Sequence, residues 1–446
     1  MNGTLNILWY YLKTKYLQQF RSRADLLIWQ DKKVRSFLSQ ILPKSQFYQN
    51  YYQGLDIRDW QQFPIIDKSV MMANFNWLNT VNIKKSEAFA VALETEKMRK
   101  FSSSTLHNFT IGLSSGTSGN RGLFIVSKQE QQAWAGMILA KALHQSIFTK
   151  QRLAFFLRAN SKLYETVKSQ LQFEYFDLCS SIESNIKRLE QYSPTILVAP
   201  PSMLLLLAEA QIMGDLNITP SKIIAVAEVF EPLDRIFISR TFNQIIHQVY
   251  QCTEGFLAST CDYGTLHLNE DIVAIQKEYL DRDNCKFMPI ITDFNRTTQP
   301  IIRYRLDDIL TERKTPCPCG SILTAIESIE GRRDDIFYLP HKTQATLVPL
   351  FPDFVRRAII SASEEIQEYI AVQKRLDLIE ISLKVPTSLS VQVQTMVQES
   401  LLALFERSYC QVPEIRYQEY NRTQHERKLR RIYREFSPDV KSSRTF

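Results

Sequence analysis

The sequence predicts an α/β protein, with a large multi-layer N-terminal domain over residues 1–333 and a small α+β domain over residues 334–446. Three observations carry this. From residue 153 onward, short apolar runs (LAFFL, ILVAPP, IIAVAEV, IIHQVY) alternate with amphipathic helical patterns, the rhythm of a parallel sheet. After Arg333 the order becomes helix (352–361), strand (369–373), strand (376–384), helix (390–407) and strand (414–417), enough for one small domain of ~110 residues. Ahead of both, residues 110–127 (TIGLSSGTSGNRGLFIVS) hold four of the chain's twelve glycines, flanked by apolar residues as in a loop held within a core.

Residues 1–75 read as a helical entry. Leu5, Leu12, Leu17, Phe20, Leu26, Leu27, Val34, Phe37 and Ile41 recur at helical spacing among Lys, Arg and Gln; Pro43 ends the region, and Pro64 with Asp67 opens a further helix. The apolar run at 5–12 is short, is followed by Lys13 and Lys15, and lacks a small-residue cleavage site, so it reads as neither signal peptide nor membrane span. A cytoplasmic protein is expected, whose seven cysteines are reduced thiols and whose cysteine clusters point to metal. The net charge of +7 is local: residues 421–434 carry Arg422, Arg427, Lys428, Arg430, Arg431 and Arg434 against Glu426, which is +5 and leaves +2 elsewhere. That balance does not suit a chain that coats nucleic acid.

The Ser/Gly loop sets Thr110, Ser114, Ser115, Thr117, Ser118 and Ser127 among Gly112, Gly116, Gly119 and Gly122, with a β-prone run at 123–126. Glycines let backbone amides approach an anion closely and hydroxyls add neutral donors, so the loop reads as a polyphosphate cradle. It differs from the GxxxxGK[ST] loop, because no Lys-Ser/Thr pair follows the glycines. Downstream lie YQCTEG (250–255), RYRLDD (303–308) and GRRDD (331–335), with Lys428 in the terminal basic hook. A second cluster is Cys261-x5-His267 followed by Cys317-Pro-Cys319: either three sulfurs and an imidazole suited to structural Zn²⁺, or unrelated core residues. Cys179, Cys252, Cys285 and Cys410 read as plain thiols, and His247 as a core histidine.

Taken in order, FYQNYY, PIIDK, SSGTSG, YQCTEG, YRLDD, GRRDD and Lys428 resemble the adenylate-forming superfamily, which activates carboxylates as acyl adenylates. The resemblance is nearest to the branch of phenylacetate–CoA ligases and of synthetases that adenylylate a deazaflavin coenzyme, and it covers almost the whole chain. It implies that Ser114, Ser115, Gly116, Thr117, Ser118 and Gly119 hold the β- and γ-phosphates of ATP, and that Thr253 reaches the α-phosphate. By the same resemblance Glu254 serves Mg²⁺, Asp308 and Arg332 the ribose, and Ala227, Glu228 and Tyr250 the adenine pocket. Lys428 matches the lysine that neutralises charge during attack, Asp334 the hinge of a mobile lid, and some members carry zinc where the Cys/His cluster falls. Two positions depart from the family: Arg121 stands where its loop commonly has lysine, and Asp307 where it has glycine before the ribose aspartate.

The expected reaction joins Mg·ATP and a carboxylic acid into acyl-AMP and pyrophosphate, then passes the acyl group to a thiol of CoA or of a carrier protein's phosphopantetheine. An aromatic acid is expected, by resemblance and because Phe155, Phe156, Phe173, Tyr175 and Phe176 would wall a flat pocket, unless they belong equally to the core. One rival is an adenylyltransferase that leaves AMP on a coenzyme; another is a binding protein on the same fold without turnover.

Overall fold

The computed structural model describes residues 3–98, 105–113, 122–143, 149–157, 172–178, 180–332, 335–363, 365–420 and 431–436. The chain divides into two compact units. The first comprises Met1–Phe230, Asp234–Leu306 and Thr311–Glu327; the second comprises Glu231–Leu233, Asp307–Leu310 and Ser328–Phe446.

The helical entry of the first unit forms where polar caps precede apolar stripes. The Ser22 side chain accepts from the Asp25 amide and opens Arg23–Ile41, which stops ahead of Pro43. Asp67 accepts from the Val70 amide and opens Lys68–Ala73. The first helix, Gly3–Leu12, lies on helix Lys128–Ala142 at Gly136, where a Cβ would come within 2.5 Å of the Ile7 carbonyl oxygen. Any larger residue at 136 would push the two helices apart.

Behind these helices stands a parallel block in the order Gln172–Asp177, Arg152–Leu157, Ile196–Ala199, Lys222–Ala225, Ile246–Cys252. Its residues alternate between two cores with the period of a strand. Ala154, Phe156, Leu197, Ala199, Ile223 and Ala225 pack on helix Pro201–Met213 through Leu204, Leu207 and Ala208. Phe155, Ile196, Val198 and Ile224 pack on the opposite side against Ile7, Tyr11 and Leu139. Both faces are covered, which is why the strands read as continuous apolar runs. The last strand turns back into antiparallel pairing with Gly255–Thr260, and that strand pairs in turn with Leu266–Leu268.

The second unit carries a four-stranded sheet ordered Glu414–Gln418, Leu378–Lys384, Glu368–Arg375, Ile432–Arg434, packed by helices Pro352–Ile360 and Ser390–Arg407. Its core holds a buried ion pair, Arg356 Nε to Glu231 Oε2 at 2.6 Å, and the Tyr369 hydroxyl donates to the same oxygen at 3.2 Å. Among the described residues no helix is long and apolar enough to cross a membrane.

Candidate functional site

Numbered along the chain, the parallel strands stand in the order 2-1-3-4-5. In sheets of this order ligands sit beyond the carboxyl ends of the strands, where the order reverses. From those ends project Pro200-Pro201-Ser202, Ala227-Glu228 and Thr253-Glu254.

Thr253 and Glu254 form the tip of a two-residue hairpin, with Cys252 opposite Gly255, where the sheet passes from parallel to antiparallel. Glu254 is half-buried, and both its oxygens are oriented: Oε1 accepts from the Tyr304 hydroxyl at 3.0 Å and Oε2 from the Thr253 hydroxyl at 2.7 Å. The carboxylate keeps lone pairs for a hard cation. Buried Arg296 donates to the Thr253 carbonyl and fixes the tip from beneath.

Arg296 belongs to the loop 293–299, which ties three parts of the site together. Gln299 accepts from the Ile125 amide at 2.8 Å and donates to the Leu123 carbonyl at 3.2 Å, gripping the strand after the Ser/Gly loop. The Glu130 carboxylate accepts from the Thr297 and Thr298 amides at 2.6 and 2.8 Å and from the Thr298 hydroxyl at 2.6 Å. Glu130 also completes a capping box with Ser127 at the start of helix Lys128–Ala142. Burial pushes the Glu130 carboxyl up, but the hydrogen bonds from Thr298 and Ser127 outweigh it and hold it below its ordinary value. Burial pushes Asp293 in the same loop up to about 6, despite the Asn295 amide donating to its Oδ1 at 2.9 Å.

At the end of strand Lys222–Ala225, Ala227 takes φ 69°, and the Glu228 amide donates back to the Val226 carbonyl at 2.9 Å. This is a γ-turn of the strained hand. Glu228 pins it, its carboxylate accepting from the Ser202 amide and hydroxyl, each at 3.1 Å, at the first turn of helix Pro201–Met213.

The second cluster also assembles. Ligand atoms of Cys261, His267, Cys317 and Cys319 all lie within 4.8 Å of one another. Cys261 and Cys317 Sγ are 3.7 Å apart, and Cys319 Sγ is 3.4 Å from His267 Nε2. The His267 Nδ1–H donates to the Leu323 carbonyl at 3.1 Å, which leaves Nε2 as the ligating nitrogen. Burial raises the Cys317 thiol, yet hydrogen bonds from Thr265 and within the cluster bring it down to about 6; burial and the adjacent thiols hold Cys319 up at about 11. Three sulfurs and one imidazole at this separation fit tetrahedral Zn²⁺ with no position left for water.

No protein-family model matches the chain. It is 22% identical over 360 residues to protein CapK of Staphylococcus aureus, covering 75% of this chain and 74% of that one. Its structure resembles 2-hydroxyisobutyryl-CoA ligase in the postadenylation state with 2-HIB-AMP, at TM-score 0.69 and 14% identity over 94% of this chain and 91% of that one. It also resembles the acyl acid amido synthetase AtGH3.15, at TM-score 0.56 and 11% identity over 93% and 89% of the two chains. The chain has the fold of the adenylate-forming enzymes.

Within this adenylate-forming fold the first unit brings together Tyr250, Thr253, Glu254, Ala227 and Glu228 at the strand ends. Asp308 lies in the second unit, at the start of strand Asp308–Glu312, and the backbone of Arg332 ends strand Ala325–Arg332. Asp307 is not among the residues with positive φ, so that position makes no demand for glycine. Gly331 does: its φ is 123°, and a Cβ there would meet Asp335 Oδ2 at 2.6 Å. Ser114, Ser115, Gly116, Thr117, Ser118, Gly119, Arg121, Asp334 and Lys428 lie outside the described residues. The flanks of the Ser/Gly loop are described as antiparallel strands, Phe109–Leu113 and Leu123–Val126. Sequence reasoning missed Tyr304, Arg296 and Glu130 as parts of the site. Of the two readings open for the aromatic run, the core holds for Phe155, Phe156 and Phe176: Phe156 and Phe176 are fully buried and stack at 4.8 Å inside one core, and Phe155 packs with half-buried Phe173 in the other.

Proposed function

We propose that the protein activates a carboxylic acid by adenylation and then hands the acyl group to a thiol. The observation that carries this is Glu254 with both oxygens oriented at the hairpin tip, beyond the carboxyl ends of the sheet. In the first step an acid oxygen bonds to the α-phosphorus of ATP and pyrophosphate leaves in line. Such a displacement needs positioning and charge stabilisation rather than a nucleophilic side chain. Ser114–Gly119 and Arg121 hold the β- and γ-phosphates, Thr253 meets the α-phosphate, and Glu254 holds Mg²⁺, which supplies charge neutralisation on the phosphates. Ala227, Glu228 and Tyr250 frame adenine, Asp308 and Arg332 the ribose, and Lys428 the charge that develops during attack.

In the second step a thiolate displaces AMP from the acyl carbon, after the C-terminal domain, residues 334–446, has swung about Asp334. CoA and a phosphopantetheinyl carrier are the thiols proposed. The likeness to an acyl acid amido synthetase makes amines a second acceptor class to screen. With Phe155, Phe156 and Phe176 in the core, an aromatic acid rests on resemblance alone and heads the screen for that reason. The Cys/His cluster holds a structural zinc that joins the 261–267 hairpin to the 317–319 loop. The test is acid-dependent pyrophosphate release across a panel of carboxylic acids, followed by addition of CoA or an amine. Release with no acid present, driven by a coenzyme alone, favours the adenylyltransferase; no release with any acid overturns the reading.

A further inference from the structure

The first helix, Gly3–Leu12, reads GTLNILWYYL and holds no charged side chain. Its Ile7 and Tyr11 are buried and pack with Leu139 of helix Lys128–Ala142. A surface helix packed in this way ordinarily turns charged residues to the opposite side. Here that side is apolar. Leu5 and Trp9 stand one turn apart at 54% and 50% exposure, and half-buried Leu8 and Leu12 extend the same stripe three and seven positions after Leu5. The π-helical turn Lys13–Leu17 continues the run with Tyr16 and Leu17 exposed, Leu17 at 65%.

The chain that follows this stripe is basic. Residues 13–35 hold seven Lys and Arg against Asp25 and Asp31. Two of the seven are committed, Arg23 to Glu270 at 2.5 Å and Arg35 to Asp31 at 2.7 Å. Arg21, Lys32 and Lys33 are exposed. Lys13 follows the helix directly, half-buried, with its Nζ 5.6 Å from the Tyr10 ring centroid. Burial, and after it the charge of Lys33, lowers the Lys13 pKa, which places these two cations near one another on different helical segments.

What covers such a face must match both its apolar stripe and its charge. A second copy of the chain does not, because an isologous contact sets the patch against itself, cation facing cation. An anionic lipid surface matches both: Trp and Tyr sit at headgroup level, Leu at the acyl boundary, and each Lys or Arg near the leaflet adds attraction. We propose that Leu5, Trp9, Tyr16 and Leu17 seat the protein on an anionic phospholipid bilayer, with Lys13, Arg21 and Lys33 meeting the lipid phosphates. The helix lies in the interface and does not cross it, its ten residues being about half of what a span needs. This surface stands apart from the adenylation chemistry and does not rest on it.

The test is co-sedimentation of the full-length chain with phosphatidylcholine vesicles, with and without an equal share of phosphatidylglycerol. Binding is expected to require phosphatidylglycerol and to fall steeply as salt is raised. Leu5→Ser and Trp9→Ser, both at exposed positions, are each expected to weaken it about tenfold, the share of a partly buried large apolar side chain. Arg21→Gln and Lys33→Gln are each expected to weaken it about fivefold, one charge's share at such a surface. All four variants are expected to keep the parent's melting temperature. Absence of binding overturns the proposal, and so does equal binding to both kinds of vesicle. Binding that Leu5→Ser and Trp9→Ser leave intact also overturns it and moves the contact elsewhere, for instance to the basic hook at 421–434. A parent that is dimeric without lipid, and that Trp9→Ser makes monomeric, assigns the stripe to a second copy instead.

Discussion

The Tyr304 hydroxyl donates to Glu254 Oε1 at 3.0 Å across fifty positions of sequence. Tyr304 is 2% exposed, so its ring is fixed by packing and its hydroxyl is aimed rather than free to rotate away. Tyr304→Phe keeps the ring and deletes the donor. Loss of one hydrogen bond to a charged group is worth about 1.5–3 kcal/mol, so acid-dependent pyrophosphate release is expected to fall about tenfold or more. Glu254→Gln is expected to abolish release with the fold intact. Rates measured over a magnesium titration check both; a Tyr304→Phe enzyme equal to the parent at limiting Mg²⁺ would remove Tyr304 from the site.

Glu130 ties helix Lys128–Ala142 to Thr297 and Thr298, and its substitution leaves two backbone amides without their acceptor. Glu130→Ala is expected to cost about 1–3 kcal/mol of unfolding free energy. The pH dependence follows from the sign of the shift. Its folded pKa is lowered, so this stabilisation is fully present above the ordinary glutamate pKa and is lost as pH falls through the lower folded value. Denaturant melts of parent and variant are expected to converge only in that acidic window, and a gap that stays constant down to it refutes the assignment.

Asp293 has the opposite sign. Its folded pKa is raised to about 6, so the contribution it makes is present below the ordinary aspartate pKa and disappears as pH rises through about 6. At neutral pH the folded protein carries the cost of an ionised, half-buried carboxylate. Asp293→Asn can still accept from the Asn295 amide and is expected to raise stability by up to about 2–3 kcal/mol above pH 7. No gain is expected below the ordinary aspartate range. Melting curves at both ends of this window decide it.

The zinc assignment predicts roughly one Zn²⁺ per chain in protein purified without chelator. Cys319→Ser is expected to lose the metal and to lower the melting temperature, and chelation of the parent to do the same. Elemental analysis alongside the melts is the check. Trace metal with undiminished stability in chelator would retire the site.

What the sequence made legible was local or periodic. Alternation of apolar runs with helical patterns announced the parallel strands, and spacing alone collected Cys261, His267, Cys317 and Cys319, whose ligand atoms do meet. What it hid was long-range. Arg296 reaches Thr253 and Glu130 reaches Thr298 only because the loop 293–299 returns beneath the sheet's carboxyl edge, and no local pattern marks that return. Of the two readings open for the aromatic run, pocket wall or core, the core prevails for a physical reason. Successive strand residues face opposite sides, so Phe155 and Phe156 look like one wall in sequence and stand in two cores in space.

Lys428 separates the two half-reactions. Arg427 and Arg430 adjoin it in sequence, whereas Arg431 is buried with its guanidinium 3.8 Å from Glu368, and the resemblance assigns Lys428 to the α-phosphate during attack by the acid. Removal of one preorganised charge from a phosphoryl-transfer site costs about 10²–10³ in rate, and Lys428→Ala is expected to slow adenylate formation by that factor. Transfer from a supplied acyl-AMP to the thiol is expected to stay near the parent rate if, as proposed, domain rotation withdraws the lysine before that step. The two steps are measured separately, by pyrophosphate release in the absence of thiol and by thioester formation from synthetic adenylate. Equal losses in both assign Lys428 a general binding or folding role and defeat the rotating-lid assignment. No loss in either makes it one more solvated charge on the hook. Only a loss confined to the first step requires that its charge be present at the α-phosphate and absent afterwards.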